Sequence, residues 1–274
     1  MTPFDKLKER EELEEREELK ERAELNERDG RRAALITGGS KGIGAAIAQC
    51  LAADGWDLTL SARTRETLDA TAASLRETYG VRVLTVPADM TDESAVSALV
   101  AAHADEYGRC DALVVNAGMG NKGAVESFPP RRFDRLYQVN LRAPFQLMQE
   151  MLPTLRATAG DDGTAKVIAI ASSTGVYPEP ELSAYGATKA ALISLCETFN
   201  TEEAVNGVAA TAICPGYVDT DMSEWTKGDG GIPAEQMISG ADVAAVAHAV
   251  TQLGRYAVLP QAVLTRPGPQ LHRA

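Results

Sequence analysis

Tyr185, Lys189 and Ser172 are the residues whose types and spacing point first to chemistry. Tyr185 and Lys189 are four apart in Ser183-Ala184-Tyr185-Gly186-Ala187-Thr188-Lys189, which on a helix puts both on one face. A tyrosine hydroxyl titrates near ~10, and a neighbouring ammonium favours its phenolate. A phenol tuned this way exchanges a proton with a substrate oxygen near neutral pH. The pairing alone is weak, because any helix can contain it. Ser172 stands 13 residues upstream, at the end of an expected strand, where ligands bind in open α/β sheets. Its hydroxyl can hydrogen-bond a carbonyl oxygen as that oxygen becomes an alkoxide. The plainer alternative is a loop-capping serine, and Ser173 competes for the role.

A glycine-rich turn supplies the second element: Thr37-Gly38-Gly39-Ser40-Lys41-Gly42-Ile43-Gly44, between an expected strand at Ala33–Thr37 and a helix at Ile43–Ala53. Glycines let backbone approach a pyrophosphate, and the helix N-terminus offers free N–H groups. In this context the turn reads as a dinucleotide cradle. An NAD site usually carries a carboxylate near the end of the second strand. Here that strand ends Leu60-Ser61-Ala62-Arg63, and Asp57 comes too early. Arg63 and Lys41 could instead hold a 2′-phosphate by charge-assisted hydrogen bonds, so NADP(H) is the expected cofactor. Either cation can also be read as an ordinary surface charge.

These groups need a scaffold, and the hydrophobic pattern provides one. Expected strands at 57–62, 81–86, 112–115, 166–171, 208–214 and 256–264 alternate with expected helices at 65–79, 92–107, 133–158, 184–205 and 241–253. Thr91 is the expected N-cap of the 92–107 helix, and Pro144 and Pro153 are expected to kink or break the 133–158 region. Alternation of this kind implies a doubly wound parallel sheet, the Rossmann class of α/β fold, with helices on both faces.

The glycine loop, Asn116-Ala117-Gly118, Asn140, Ser172, Tyr185/Lys189 and Pro215-Gly216 together resemble the short-chain dehydrogenase/reductase family, over about Ala33 to Leu264. The resemblance implies that Tyr185 is the general acid in carbonyl reduction and the base in alcohol oxidation. It implies that Ser172 positions the substrate oxygen, that Lys189 holds the nicotinamide ribose and lowers the tyrosine pKa, and that Asn140 supports a water-linked proton relay. Gly38, Ser40, Lys41, Gly42, Ile43 and Gly44 would form the cofactor loop, with Asn116, Ala117 and Gly118 along the cleft. Asp89 would lie by the adenine, and Val218 and Thr220, after Pro215 and Gly216, by the carboxamide and phosphates. Val115 replaces the family's usual second asparagine, and the glycine-rich ending of acyl-carrier-linked members is missing. A ketone or 3-oxoacyl-type substrate and a homotetramer or homodimer are further implications. The segment 217–239 is expected to cover the cleft, with Tyr177, Glu179 and Glu181 on the opposite wall.

Composition bounds the alternatives. The 274 residues suit one such domain, and a net charge of −12 offers no basic footprint for nucleic acid. The four cysteines form no CxxC pair, and no metal site is expected. Without a GxSxG elbow or a suitably placed histidine, a serine hydrolase is a poor reading. Residues 1–30 hold 12 acidic and 7 basic residues in a leucine-headed hexad repeat; successive leucines fall roughly 120° apart on a helix, so they make no coiled-coil seam. A charged helical extension over 1–30 and a catalytic domain over 31–274 are therefore expected. No membrane span or signal peptide is read, and the expectation is a cytoplasmic protein. The rival reading keeps the cofactor but not the chemistry: a silent NADP-binding regulator or scaffold working through its N-terminal arm.

Overall fold

The computed structural model describes residues 30–226 and 232–267. The expected N-terminal helix, apart from Gly30, lies outside these residues. The unit beginning at Ala33 is built on seven strands: β1 (Ala33–Thr37), β2 (Asp57–Ser61), β3 (Val83–Thr85), β4 (Ala112–Val115), β5 (Ala165–Ile170), β6 (Val208–Pro215) and β7 (Gln261–Leu264). All pair in parallel, in the order β3-β2-β1-β4-β5-β6-β7. The order reverses beside β1, which opens a crevice at the carboxyl ends of β1 and β4.

Alternation along the strands splits the core into two layers. Leu35, Leu113, Val115, Val167 and Ala210 face helices α3 (Glu93–Tyr107), α5 (Ala143–Ala159) and α6 (Ser183–Glu203). Ala34, Ile36, Val114, Ile168 and Ile213 face α1 (Gly42–Ala53), α2 (Arg65–Tyr79) and α7 (Gly240–Thr251). Both faces are thus covered, as a parallel sheet requires. Among the described residues no helix is long and apolar enough to cross a membrane.

Three local readings need correction. The N-cap of α3 is Asp92, not Thr91: the Asp92 carboxylate accepts from the Ser94 and Ala95 N–H groups. A carboxylate suits the positive helix end, and the Thr91 hydroxyl donates to Asp89 instead. The break in the 133–158 region is not at either proline. A short helix α4 (Pro130–Tyr137) leads into a π-helical turn, Gln138–Arg142, before α5 begins. Pro144 lies in the first turn of α5, where a missing N–H costs nothing, and Pro153 is on the exposed side of an unbroken helix. The last strand is only Gln261–Leu264, because residues 256–259 are exposed and Pro260 has no N–H for the ladder.

The termini of the strands are held by buried charges. Asp57, fully buried at the start of β2, accepts from Arg82 N–H and Nε, both at 2.8 Å. It serves the sheet at the end away from the crevice, so it is no substitute for a ribose-binding carboxylate. His103 on α3 is also fully buried, with Nδ1 2.8 Å from Thr59 Oγ1, and burial pushes its pKa down to about 4. Above pH ~6.5 the imidazole is neutral in folded and unfolded chains and contributes no pH dependence. Below that the unfolded chain takes up a proton that the folded chain refuses, so stability falls with pH. The loss is about 3 kcal/mol by pH ~4.5 at ~1.4 kcal/mol per pH unit. Urea unfolding at pH 7 and 4.5 should show this loss in the wild type and a clearly smaller one in His103→Gln; equal losses would remove His103 as its source.

Candidate active site

The carboxyl ends of β1, β4, β5 and β6 open onto a cleft of about 760 Å³. Every catalytic and cofactor residue expected for the site lines it except Gly44 and Asn140, whereas Tyr177, Glu179 and Glu181, expected on the opposite wall, do not. Gly38 adopts φ +66°, and a Cβ there would stand 2.7 Å from Asn116 Nδ2. A Cβ on Gly44 would stand 2.2 Å from the Gly38 carbonyl oxygen. The loop therefore folds onto the first turn of α1 at a distance only glycine permits. Gly39 N–H donates to the Ser61 carbonyl at 3.0 Å, which fixes the loop to the end of β2.

The cations are placed differently from one another. Arg63 lines the cleft just past β2. Lys41 lines it too, but its ammonium is 2.5 Å from Asp221 Oδ2, an exposed pair that joins the glycine loop to the segment after β6. Asp221 was not anticipated, nor was Arg135 of α4, which also reaches the cleft. Asp89 accepts from Thr91 N–H and Oγ1, each at 2.9 Å. These bonds, with smaller help from Arg63 and Arg135, hold its carboxyl below the usual range. Thr220 packs against the loop, its Cγ2 3.2 Å from where a Cβ on Gly42 would be.

Asn140 sits in the π turn, fully buried. Its Oδ1 accepts from Met119 N–H, and its Nδ2 donates to Met119 O and Thr188 Oγ1, at 2.9, 2.9 and 3.1 Å. The side chain thereby ties the segment after Gly118 to α6, the helix that carries Tyr185 and Lys189.

Ser172 follows β5 and is nearly buried. Its Oγ accepts from Thr174 N–H at 3.2 Å and from Thr174 Oγ1 at 2.8 Å. With both lone pairs engaged, its single hydrogen is directed elsewhere, and hydrogen bonding with Ser172 acts to lower the Tyr185 pKa. Ser173, the competitor, is buried with an unpartnered hydroxyl. Thr174 is the residue sequence reasoning missed: it turns Ser172 toward Tyr185.

Lys189 donates to the Ile170 carbonyl at 2.7 Å and lies 5.9 Å from the Tyr185 ring centroid. Burial lowers its pKa to about 8. The expectation of a depressed tyrosine does not hold for the protein by itself. Burial raises Tyr185 to about 12, and the Ser172 hydrogen bond, which pulls the other way, does not offset it. The ammonium faces a carbonyl rather than the phenolic oxygen, so desolvation dominates.

A family model described as short chain dehydrogenase matches residues 32–229. A D-beta-hydroxybutyrate dehydrogenase of Rhizobium meliloti is 36% identical over 217 residues, covering 76% of this chain and 81% of that protein. The structure of Pseudomonas aeruginosa RhlG in an active-site complex with NADP superposes with a TM-score of 0.79 at 29% identity, over 88% of this chain and 96% of that one. A 3-ketoacyl-(acyl-carrier-protein) reductase from Brucella melitensis, complexed with NADH, gives 0.77 at 25% identity, over 86% and 97%.

The glycine contact yields a direct test. Gly44→Ala should lower unfolding stability by about 1–3 kcal/mol, the usual cost of an overpacked site. It should also weaken dinucleotide binding at least roughly tenfold, because the loop must lift. A thermal melt and a cofactor fluorescence titration read the two effects; wild-type values in both would show that the contact does not shape the loop.

Proposed function

The chain belongs to the short-chain dehydrogenase family, and from that premise we propose that it is an NADP(H)-dependent reductase of ketones or 3-oxoacyl-type carbonyls, working reversibly between carbonyl and secondary alcohol. The observation that carries this reading is the convergence of Ser172, Tyr185 and Lys189 on one end of a cleft whose other end is a glycine cradle. The cleft fits a dinucleotide: the Gly38–Gly44 approach leaves no room for side chains, and the Lys189 ammonium lies 3.5 Å from where a Cβ on Gly118 would stand, beside the NAG turn. Bound there, NADPH supplies a hydride to the carbonyl carbon.

The choice of NADP(H) over NAD(H) rests on residues. Where an NAD site offers a carboxylate, this chain has buried Ser61, and Arg63 follows at the cleft edge. Lys41 contributes less than the sequence suggested, because Asp221 neutralises it. Arg63→Ala should weaken NADPH binding roughly 10–100-fold, the worth of charge-assisted hydrogen bonds, and change NADH binding about twofold at most. Comparable losses for both cofactors in fluorescence titration would contradict the assignment.

In reduction Ser172 orients the substrate oxygen while Tyr185 Oη gives it a proton. A phenol at about 12 is fully protonated at neutral pH, as an acid must be. Lys189, with a pKa of about 8, binds ribose hydroxyls and offers positive charge to the developing phenolate while protonated. Asn140 braces the floor of the cleft, so a water-linked relay would meet its main chain, the side chain being engaged.

Two measurements test this. Tyr185→Phe should lower kcat for NADPH-driven ketone reduction by roughly 10²–10⁴, the contribution of positioned acid catalysis, with NADPH affinity nearly unchanged; retained turnover would sink the mechanism. For the wild type, kcat/KM for reduction should fall as pH rises through about 8, since the ammonium form is lost above that pH. A profile flat from pH 6 to 10 would remove Lys189 from the step.

A further inference from the structure

Two arginines at the cleft are engaged by no other side chain. Arg63 and Arg135 both line it, and neither makes an ion pair or a hydrogen bond among the described residues. By contrast Lys41 is paired with Asp221, Arg65 with Asp69 and Arg142 with Glu93.

The backbone brings both arginines to one carboxylate. Ala88 N–H donates to the Ala62 carbonyl at 3.1 Å, so the chain past β3 runs beside the chain past β2, and Asp89 and Arg63 are the next residues of each. Thr91 holds Asp89 by two bonds, both to Oδ1. The Thr91 carbonyl accepts from Arg142 Nη2 at 3.3 Å, which ties this segment to the π turn after α4. Arg135 stands one helical turn before Val139 of that π turn, and Val139 also lines the cleft. Both guanidiniums lie within electrostatic reach of the Asp89 carboxylate.

The charges decide what this place can hold. Arg63 and Asp89 alone sum to zero, and an anion gains little from a neutralised pair. Arg135 makes the sum positive, in a chain whose net charge is −12. The carboxylate also offsets the repulsion between the two guanidiniums. A planar guanidinium fork matches the oxygens of a phosphate. With the pyrophosphate on the glycine loop, the anion that NADP(H) carries beyond it is the 2′-phosphate.

We propose that Arg135 is the second guanidinium of the 2′-phosphate site, so that Arg63 and Arg135 together hold the phosphate against the charge of Asp89. This rests on the NADP(H) reading and deepens it, because Arg63 by itself does not outweigh Asp89.

The test uses the full chain and two probes without a nicotinamide, adenosine 2′,5′-bisphosphate and adenosine 5′-phosphate, with affinities measured by calorimetry. The wild type should prefer the bisphosphate. Arg135 is exposed, so its replacement leaves the core intact. Arg135→Ala should cut the preference about tenfold, the worth of a charge-assisted contact, while adenosine 5′-phosphate affinity changes about twofold at most. Arg135→Lys should keep part of the preference. Asp89→Asn added to Arg135→Ala should return part of it, because Arg63 is then no longer neutralised. A merely structural role for Arg135 would weaken both nucleotides alike, and that result, or an unchanged preference in Arg135→Ala, overturns the proposal. A preference abolished by Arg63→Ala and untouched by Arg135→Ala would remove Arg135 and leave the NADP(H) reading standing. A wild type without any preference would remove both.

Discussion

The bond between Thr37 and Asn116 joins the two halves of the sheet where strand order reverses. The Thr37 hydroxyl donates to the Val114 carbonyl and accepts from the N–H groups of Asn116 and Ala117. The Asn116 amide returns two bonds, to the carbonyls of Thr37 and Gly38. A hydroxyl has one hydrogen and two lone pairs, and all are in use. The glycine loop after β1 and the NAG turn after β4 are consequently one structure. Neither can move without breaking buried polar contacts, which are costly to leave unmade. The cradle for a dinucleotide is therefore set by the sheet topology, and the closeness of Gly38 to Asn116 follows from it.

The chemical end of the cleft is governed by a competition between burial and charge. Burial alone opposes both ionised forms, keeping the Tyr185 proton on and loosening the one on Lys189. The protein counters this only in part, through hydrogen bonding between Ser172 and Tyr185, and Ser172 is itself held by Thr174. Such an arrangement stores the proton needed for reduction. Phenolate would need positive charge brought to its oxygen, because the nearest ammonium is committed to the Ile170 carbonyl. The YxxxK spacing therefore does not by itself depress the tyrosine.

What was legible in the sequence was whatever repeats or lies close along the chain. Short apolar runs alternating with helix-length segments located the strands and long helices of the described residues, and the glycine spacing located the cradle. What escaped depends on distant chain segments meeting. Asp221 is 180 residues from Lys41 and Glu179 is 38 from Tyr217, and no local pattern announces either pair. The π turn at Gln138–Arg142 escaped for another reason: the prolines on either side looked like the obvious breakers. The turn instead aims Asn140 inward, where it can brace Met119 and Thr188. Thr91 was misread as a cap because Thr and Asp are both good N-caps, and only the structure shows Asp89 occupying the threonine.

The same contrast explains why family membership identifies a reaction more readily than a substrate. The cofactor end is built by backbone geometry at strand ends, which tolerates little variation: a methyl group on Gly44 would already collide with the Gly38 carbonyl. The substrate end is walled by residues from the segments after β4, β5 and β6, elements that share no local sequence constraint. Tyr217 could be replaced without disturbing the ladder of β6, whose pairing with β7 ends at Pro215 and Leu264. The rigid half fixes where the hydride acceptor must lie, and the variable half decides which molecule can bring a carbonyl there.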